Sequence, residues 1–381
     1  MTIKFNSTDF SACLADVSKI VSEKNPMPIL TGVLVEATED SVTLTGSDEG
    51  MELTSSIKAE SDGSMSFVIN PKVFASALKS LPQQTITMVV EDDLNIKVNY
   101  NKGSFQMVAQ NGEEYPRFNW EEGDAHQLVI KSDRLKYGFN GSSCAIAEDD
   151  LRPQMCGIYF DMQDCLTMVA TDSKKLIRIT LKDVKNEGEP YAFIMPVKVV
   201  NVIKSIAPKE SDVVIKSTER AIRLSYEGNG RTLQMSAVLV EGRFPRYNAV
   251  IPQNNTQILT LDRQSTIALL SRIISFSNSA TNQIKVDIGE PTLEGQCVTF
   301  SAQDIDYSIA AHEQMTCSYN GSPMKVGFRA NFMLDILKSM NGEEFELRLS
   351  DPARAALLAP VSTDENTDYL ALLMPMMLQD F

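Results

Sequence analysis

The chain has 381 residues, 43% hydrophobic and 22% charged, and carries a formal net charge of −15. That length suggests two or three domains. No apolar run is long enough to span a bilayer, and the N-terminus has no signal-peptide core, so a cytoplasmic protein without membrane partners is expected; the acidic total, taken alone, argues against nucleic acid.

In chain order, an amphipathic helix is predicted near Asp9–Val21. Val42-Thr-Leu-Thr-Gly-Ser-Asp48 follows as a strand, and Asn70–Leu81 as a helix with Pro71 in its first turn. Leu94, Ile96, Val98 and Tyr100 alternate with polar residues, the mark of a half-buried strand. Tyr115-Pro-Arg-Phe-Asn119 then leads into a polar linker, Glu121–Gln127. The series starts again with a helix over Asp133–Cys144, Asp133 being its expected N-cap. A Glu148–Gln154 loop carries the acidic pair Asp149/Asp150. Next come a Leu166–Asp172 strand, a Pro196–Ile206 helix, an Ile222/Leu224/Tyr226 strand and Phe244-Pro-Arg-Tyr-Asn248. After the Pro252–Gln257 linker the third round has a helix over Asp262–Ile274 capped by Asp262, a Val298–Asp304 strand, a helix over Arg329–Met340 and a Phe345/Leu347/Leu349 strand.

These elements are three copies of one pattern. The strands share apolar, Thr, apolar, any, small, any, Asp, with Asp48, Asp172 and Asp304 spaced by 124 and 132 residues. The matched helices give spacings of 125 and 134 between Lys79, Lys204 and Lys338. Two independent markers with agreeing offsets make chance a poor explanation. A period near 130 residues is too long for a solenoid, so three similar α+β domains are expected, each with two helices packed on antiparallel sheets, over 1–120, 128–251 and 257–381.

The helices carry the positive charge. The stripes Phe74/Ala77/Leu78/Leu81, Val199/Val202/Ile203/Ile206 and Met333/Ile336/Leu337/Met340 face the core, which places Lys79, Lys204 and Lys338 roughly 150° from each stripe centre. Across the six predicted helices, counting Lys209 just beyond the fourth, twelve basic residues stand against five acidic ones, a net +7 in a chain of −15. Such a layer suits sequence-independent contact with phosphates. A three-domain protein-binding scaffold without DNA contact also accounts for the repeats but leaves this layer unexplained.

Catalytic and metal motifs are not found. The cysteines (Cys13, Cys144, Cys156, Cys165, Cys297, Cys317) have no C-x-x-C and are expected to be small buried hydrophobes. His126 and His312 have no metal-ligand companions, no phosphate loop or nucleophile elbow occurs, and the acidic pairs Glu113/Glu114 and Glu121/Glu122 read as solvated surface. No enzyme and no cofactor are expected. The terminus is unusual: Leu370–Leu373 reads as a buried last strand, while Pro375 forces Met374-Pro-Met-Met out of the sheet as a candidate docking surface.

Met27-Pro-Ile-Leu30, Leu44-Thr-Gly-Ser-Asp48, Val169-Ala-Thr-Asp172, Gly242-Arg-Phe-Pro245 and Met374-Pro-Met376, in that order across essentially the whole chain, resemble the β subunit of bacterial DNA polymerase III, the sliding clamps. The resemblance implies the DNA clamp fold, closed by a head-to-tail homodimer into a six-domain ring around duplex DNA that confers processivity on the replicative polymerase. It adds Lys24, Lys72 and Arg152 to the residues approaching DNA, beside Lys79, Lys198, Lys204 and Lys338. It implies a pocket for a short apolar motif of polymerase, clamp loader and repair partners, formed by Met155, Thr171, Ser173, Lys174, Lys175, Leu176, Pro245, Val250, Leu372, Met374, Pro375 and Met376. It also implies a dimer seam joining Phe105 and Met107 to Ile274 and Phe276. Ser173-Lys174-Lys175 departs from the frequent Gly-His-Arg, Met377 replaces a frequent basic residue, and Gln379-Asp380-Phe381 extends past the usual end.

Overall fold

The computed structural model describes residues 1–48, 50–148, 151–228, 230–291, 293 and 295–378; Asp149, Asp150 and the terminal Gln379, Asp380 and Phe381 lie outside the described residues. Each third of the chain contributes two helices and eight strands longer than two residues, in one repeated order. The first has β1 (Thr2–Asn6), α1 (Ser7–Val17), β2 (Val33–Ala37), β3 (Ser41–Asp48), β4 (Met51–Lys58), β5 (Met65–Ile69), α2 (Pro71–Leu78), β6 (Thr85–Val90), β7 (Asn95–Tyr100) and β8 (Gly103–Val108). The second has β9 (His126–Lys131), α3 (Ser132–Ser142), β10 (Gly157–Met162), β11 (Cys165–Thr171), β12 (Lys175–Lys185), β13 (Tyr191–Pro196), α4 (Val197–Ile206), β14 (Asp212–Ser217), β15 (Ala221–Gly228) and β16 (Arg231–Val238). The third has β17 (Gln257–Asp262), α5 (Arg263–Ile273), β18 (Gln283–Ile288), β19 (Cys297–Asp304), β20 (Ile309–Thr316), β21 (Met324–Arg329), α6 (Ala330–Ser339), β22 (Glu344–Leu349), β23 (Ala356–Pro360) and β24 (Thr367–Leu373). Strands eight numbers apart are therefore counterparts.

Local chemistry explains most boundaries. Asn6 caps α1 by accepting from Thr8 and Asp9 N–H, Asn70 caps α2 through Lys72 and Val73 N–H, and Asp262 caps α5 through Ser265 N–H at 2.6 Å. Two helices stop three or more residues short of expectation. The first ends at Val17 rather than Val21, where the Ser18 hydroxyl turns back to the Leu14 carbonyl. The second ends at Leu78 because Leu81 precedes Pro82, and a residue before proline is driven out of helical conformation. Asp133 lies in the first turn of α3, which begins at Ser132, so it is not the N-cap. Leu94, expected to open β7, takes a φ of 64° and belongs to the turn before it.

The sheets are antiparallel throughout, and two of them are shared between repeats. Sheet order β5-β2-β3-β4-β16-β15-β14-β9 joins the first repeat to half of the second, with Leu53 of β4 opposite Met235 of β16. Order β13-β10-β11-β12-β24-β23-β22-β17 joins the other half to the third, with Ile177 of β12 opposite Ala371 of β24. The remaining sheets, β1-β6-β7-β8 and β20-β19-β18-β21, end on β8 and β20, neither of which has a partner on its outer side among the described residues. Two-residue strands at Glu60–Ser61, Gln110–Asn111 and Ser318–Tyr319 extend the sheet margins.

This sharing divides the chain into two compact units, Met1–Leu135 with Lys198–Leu239, and Lys136–Val197 with the residues from Val240 on. In the first unit the core is aromatic: Phe5 stacks on Phe10 at 4.4 Å, Phe10 meets Phe74 at 5.1 Å, and Phe74 meets Phe105 edge-on at 5.7 Å. In the second unit Phe300, Phe328 and Phe345 are fully buried. No helix among the described residues is long and apolar enough to cross a membrane.

Candidate nucleic-acid and partner interfaces

Helical periodicity carries the lysines to the side of each helix opposite its buried stripe. In the first unit Lys24, Lys72, Lys79 and Lys198 are exposed, with Lys79 at the C-cap of α2. Lys204 is half-buried with interactions of its own, a departure from the outward direction that periodicity predicts. A valine-rich stripe in which Ile206 is only half-buried and Val200 is fully buried shows α4 rotated slightly about its axis. In the second unit Arg152 and Lys338 are exposed. The positive face is not free of acid: Lys72 pairs with Glu23, and Lys198 lies 3.5 Å from Asp48. Both acids come from segments between helices, so a count along helices alone overstates the local positive charge.

A second surface lies on the outer face of the sheet that holds β12 and β24. Strand alternation points Leu176 and Leu372 to this face, where they stand opposite each other. Thr171, paired with Leu176 across the hairpin, points the same way. The segment Phe244–Ile251 crosses above them, buries Phe244, Tyr247 and Ile251 against Leu176, Leu370 and Leu372, and stacks Phe244 on Tyr159 at 4.6 Å. It leaves Pro245 and Val250 exposed, Val250 at 58%, and Met374, where the chain leaves β24, is 44% exposed. Such a cleft, apolar below with exposed apolar lips, fits the anchor side chains of a short peptide.

The structure separates the pocket residues expected from sequence. Met155 is buried in the short helical turn Pro153–Met155. Ser173 sits at a φ of 70°, its hydroxyl accepting from Arg152 Nη1 at 3.1 Å, and the exposed Lys174 accepts Met374 N–H on its carbonyl at 2.9 Å. Lys175 departs from the group. One residue from Leu176 on a strand, it points to the opposite face, where its ammonium is buried 2.9 Å from Asp172 and 4.0 Å from the Phe332 ring centre. The terminus leaves β24 as expected, and Met376 N–H then bonds the Gly327 carbonyl at 2.8 Å, bridging to the margin of the other sheet at β21. Pro375 and Met376 are half-buried and Met377 is exposed.

At the third surface, Phe105 and Met107 lie half-buried on β8. Ile274 is half-buried and Phe276 exposed on the helical turn after α5. Sequence reading missed β20, because Ala, His, Glu and Gln dilute its alternation. Its half-buried Glu313 is held in a two-point ion pair by Arg272 of α5, which keeps the carboxyl below its usual range.

Titratable groups carry little sign of chemistry. Only Cys13 of the six cysteines is buried, and Cys297 is exposed, so the expectation of uniformly buried thiols is corrected. Cys297 and Cys317 flank the turn-distal end of the β19–β20 hairpin, and burial first, then Cys297, pushes the Cys317 thiol up to about 11. Burial likewise raises Cys13, Cys144 and Cys165. Among the described residues no three His, Cys, Asp or Glu side chains gather to hold a metal.

Three α+β repeats that share sheets edge to edge, with two helices on each, define a DNA clamp fold. The family profiles for the DNA polymerase III beta subunit match in three parts: the N-terminal domain at residues 1–119, the central domain at 129–246 and the C-terminal domain at 248–377. The chain therefore belongs to the DNA polymerase III beta subunit family, the bacterial sliding clamps. The beta sliding clamp of Chlamydia muridarum is 24% identical, covering 100% of both chains, and that of Treponema pallidum is 26% identical over 95% of this chain and 96% of its own. The crystal structure of the DNA polymerase III subunit beta from Pseudomonas aeruginosa superposes with a TM-score of 0.91 at 23% identity, covering 99% of this chain and 100% of that one.

Proposed function

We propose that two copies of this chain close head to tail into a ring around duplex DNA and tether the replicative polymerase to it. The observation that carries the reading is that the outer edges of β8 and β20 have no partner among the described residues. Inside the chain β4 pairs with β16 and β12 with β24, always a fourth strand of one repeat with an eighth strand of the next. The fourth strand of the last repeat is β20 and the eighth strand of the first is β8, the two edges left over. A second copy satisfies both with the contact already used twice, and two such seams close the assembly.

The repeat also sets the register. Leu53 and Ile177 have Ala311 as counterpart, each lying opposite the small residue of its hairpin, Gly46, Ala170 and Ala302. Met235 and Ala371 have Phe105 as counterpart through their hairpin partners Leu224, Leu358 and Val98. Ala311 of one copy therefore stands opposite Phe105 of the other, and Ile309 opposite Met107.

Lys24, Lys72, Lys79, Lys198, Arg152 and Lys338 line the DNA side and meet phosphates without reading bases. The cleft bounded by Leu176, Leu372, Met374, Pro245 and Val250 takes the short apolar motif of polymerase, clamp loader and repair partners. The role is topological and asks no bond-making of the chain. Retention on nicked circular and on linear DNA, compared after loading by the cognate loader, tests it. A ring persists on circles and runs off free ends; equal retention on both refutes encirclement.

A further inference from the structure

The first unit contains a counterpart of the partner cleft, on the outer face of the sheet that holds β4 and β16. The correspondence is residue by residue. Val238 N–H bonds the Gly50 carbonyl at 2.8 Å where Met374 N–H bonds that of Lys174 at 2.9 Å. Tyr115-Pro-Arg-Phe crosses above this sheet as Phe244-Pro-Arg-Tyr crosses the other. Leu34, Val68 and Tyr115 cluster there as Tyr159, Ile194 and Phe244 do in the second unit. Even the lip is retained, with Val238 46% exposed against 44% for Met374.

The floor differs. Where Leu176 faces Leu372, Glu52 faces Ser236. Glu52 is 7% exposed, and its Oε2 accepts Phe118 N–H at 3.1 Å and lies 3.4 Å from Arg117 Nε. Arg117 is anchored in turn by Nη1 to Glu36 at 2.7 Å. On the lip, Glu121 stands in the place of Val250. An apolar anchor pressed onto this floor strips water from the 46% exposed Arg117 side chain and offers no hydrogen bond in exchange.

We propose that the Glu52–Arg117 pair is a polar plug that closes the first groove to apolar peptides, so that each chain offers one partner dock although its fold builds two. The proposal rests on the reading that the Leu176–Leu372 cleft is the working dock. It makes Glu52 and Arg117 specificity-determining residues for partner binding, acting by exclusion.

Calorimetric titration of the full-length protein with the peptide Ac-Ser-Leu-Leu-Phe-NH2 separates the two claims. The unaltered chain binds one peptide per chain, and Leu176→Glu weakens that site roughly 100-fold or more; binding indifferent to Leu176→Glu removes the dock reading itself. Glu52→Leu with Arg117→Ala raises the stoichiometry to two per chain, and adding Leu176→Glu returns it to one. A stoichiometry of one in the Glu52→Leu/Arg117→Ala protein, with circular dichroism unchanged, overturns the plug. Should that protein fail to fold, Glu52→Gln with Arg117→Gln removes the charges while an amide oxygen still meets Phe118 N–H. There a weaker second site supports the proposal and its absence overturns it.

Discussion

Replacing Lys175 with methionine removes the ammonium from a buried pair while keeping the aliphatic stem against its neighbours. Lys175 and Asp172 lie 2.9 Å apart, with side-chain exposures of 7% and 18%. Breaking a buried pair from one side costs about 3–5 kcal/mol when the remaining charge has no other support. Asp172 does have support: it accepts from Lys174 and Lys175 N–H, both at 2.8 Å. Those two bonds survive, as does partial hydration, and they reduce the loss to about 2 kcal/mol. The stacking of the ammonium over Phe332 adds about 0.5–1 kcal/mol, giving a total of roughly 2–3 kcal/mol. Urea unfolding at neutral pH reads this as a lower midpoint at unchanged slope. In a double-mutant cycle with Asp172→Asn the coupling energy should exceed about 1 kcal/mol. A Lys175→Met protein within about 0.5 kcal/mol of the parent, or single substitutions whose losses simply add, would refute the assignment of Lys175 to the core face of β12.

Other outcomes follow from single features. With Cys297→Ser as background, Phe105→Cys and Ala311→Cys mixed in equal amounts should cross-link under oxidation, whereas Phe105→Cys with Gln314→Cys should not; the reverse preference would show a different seam register. Lys79→Glu with Lys338→Glu should reduce polymerase processivity and weaken its dependence on salt while leaving dimer mass unchanged, and unaltered processivity would remove both residues from the DNA side. Ser173→Gly, at a φ of 70° that glycine adopts freely, should stabilise the chain by about 0.5–1 kcal/mol in urea; destabilisation would mean that the Arg152 contact outweighs the strain. Asp262→Ala should cost about 1 kcal/mol at neutral pH through loss of the α5 cap. Hydrogen bonding to Ser265 holds the Asp262 carboxyl below its usual range, so the cap's contribution is present above that range and fades as pH falls through the lowered value. A difference between the two proteins that persists at low pH would contradict this.

Much of the fold could be read from the residues because each repeat states it again. The strand ending at Asp48, Asp172 or Asp304 and the helix carrying Lys79, Lys204 or Lys338 recur at matching offsets, so a weak local pattern gains weight from its copies. Helix ends were harder, since they depend on a following proline at Leu81-Pro82 and on a serine turning back at Ser18. Sharing of the sheets was not legible. Nothing local marks β4 or β12 as a strand that pairs with another repeat, because that pairing uses backbone groups every residue possesses. β20 was hidden for another reason, since Ala, His, Glu and Gln dilute its alternation. In the cleft, apolar residues such as Leu176 and Leu372 carry a readable signal, but the side on which Lys175 falls depends on strand phase, and a one-residue step reverses it. Family resemblance names positions in a motif without saying which way each points.

The outer edges of β8 and β20 also govern what an isolated chain does in dilute solution. β8 reads Gly-Ser-Phe-Gln-Met-Val, six residues without a charge or a proline, and its outer row of amides and carbonyls has no strand partner among the described residues. Edge strands in lasting monomers are usually guarded by lysine, proline or a bulge, because a bare one recruits any extended segment that drifts past. The one acidic or basic residue on β20 besides His312 is Glu313, which Arg272 already occupies. In the proposed ring, pairing with a second copy is thus a safeguard against fibrillar self-association as well as the means of assembly. Conditions that separate the subunits, such as strong dilution, bring a solubility hazard before they bring unfolding.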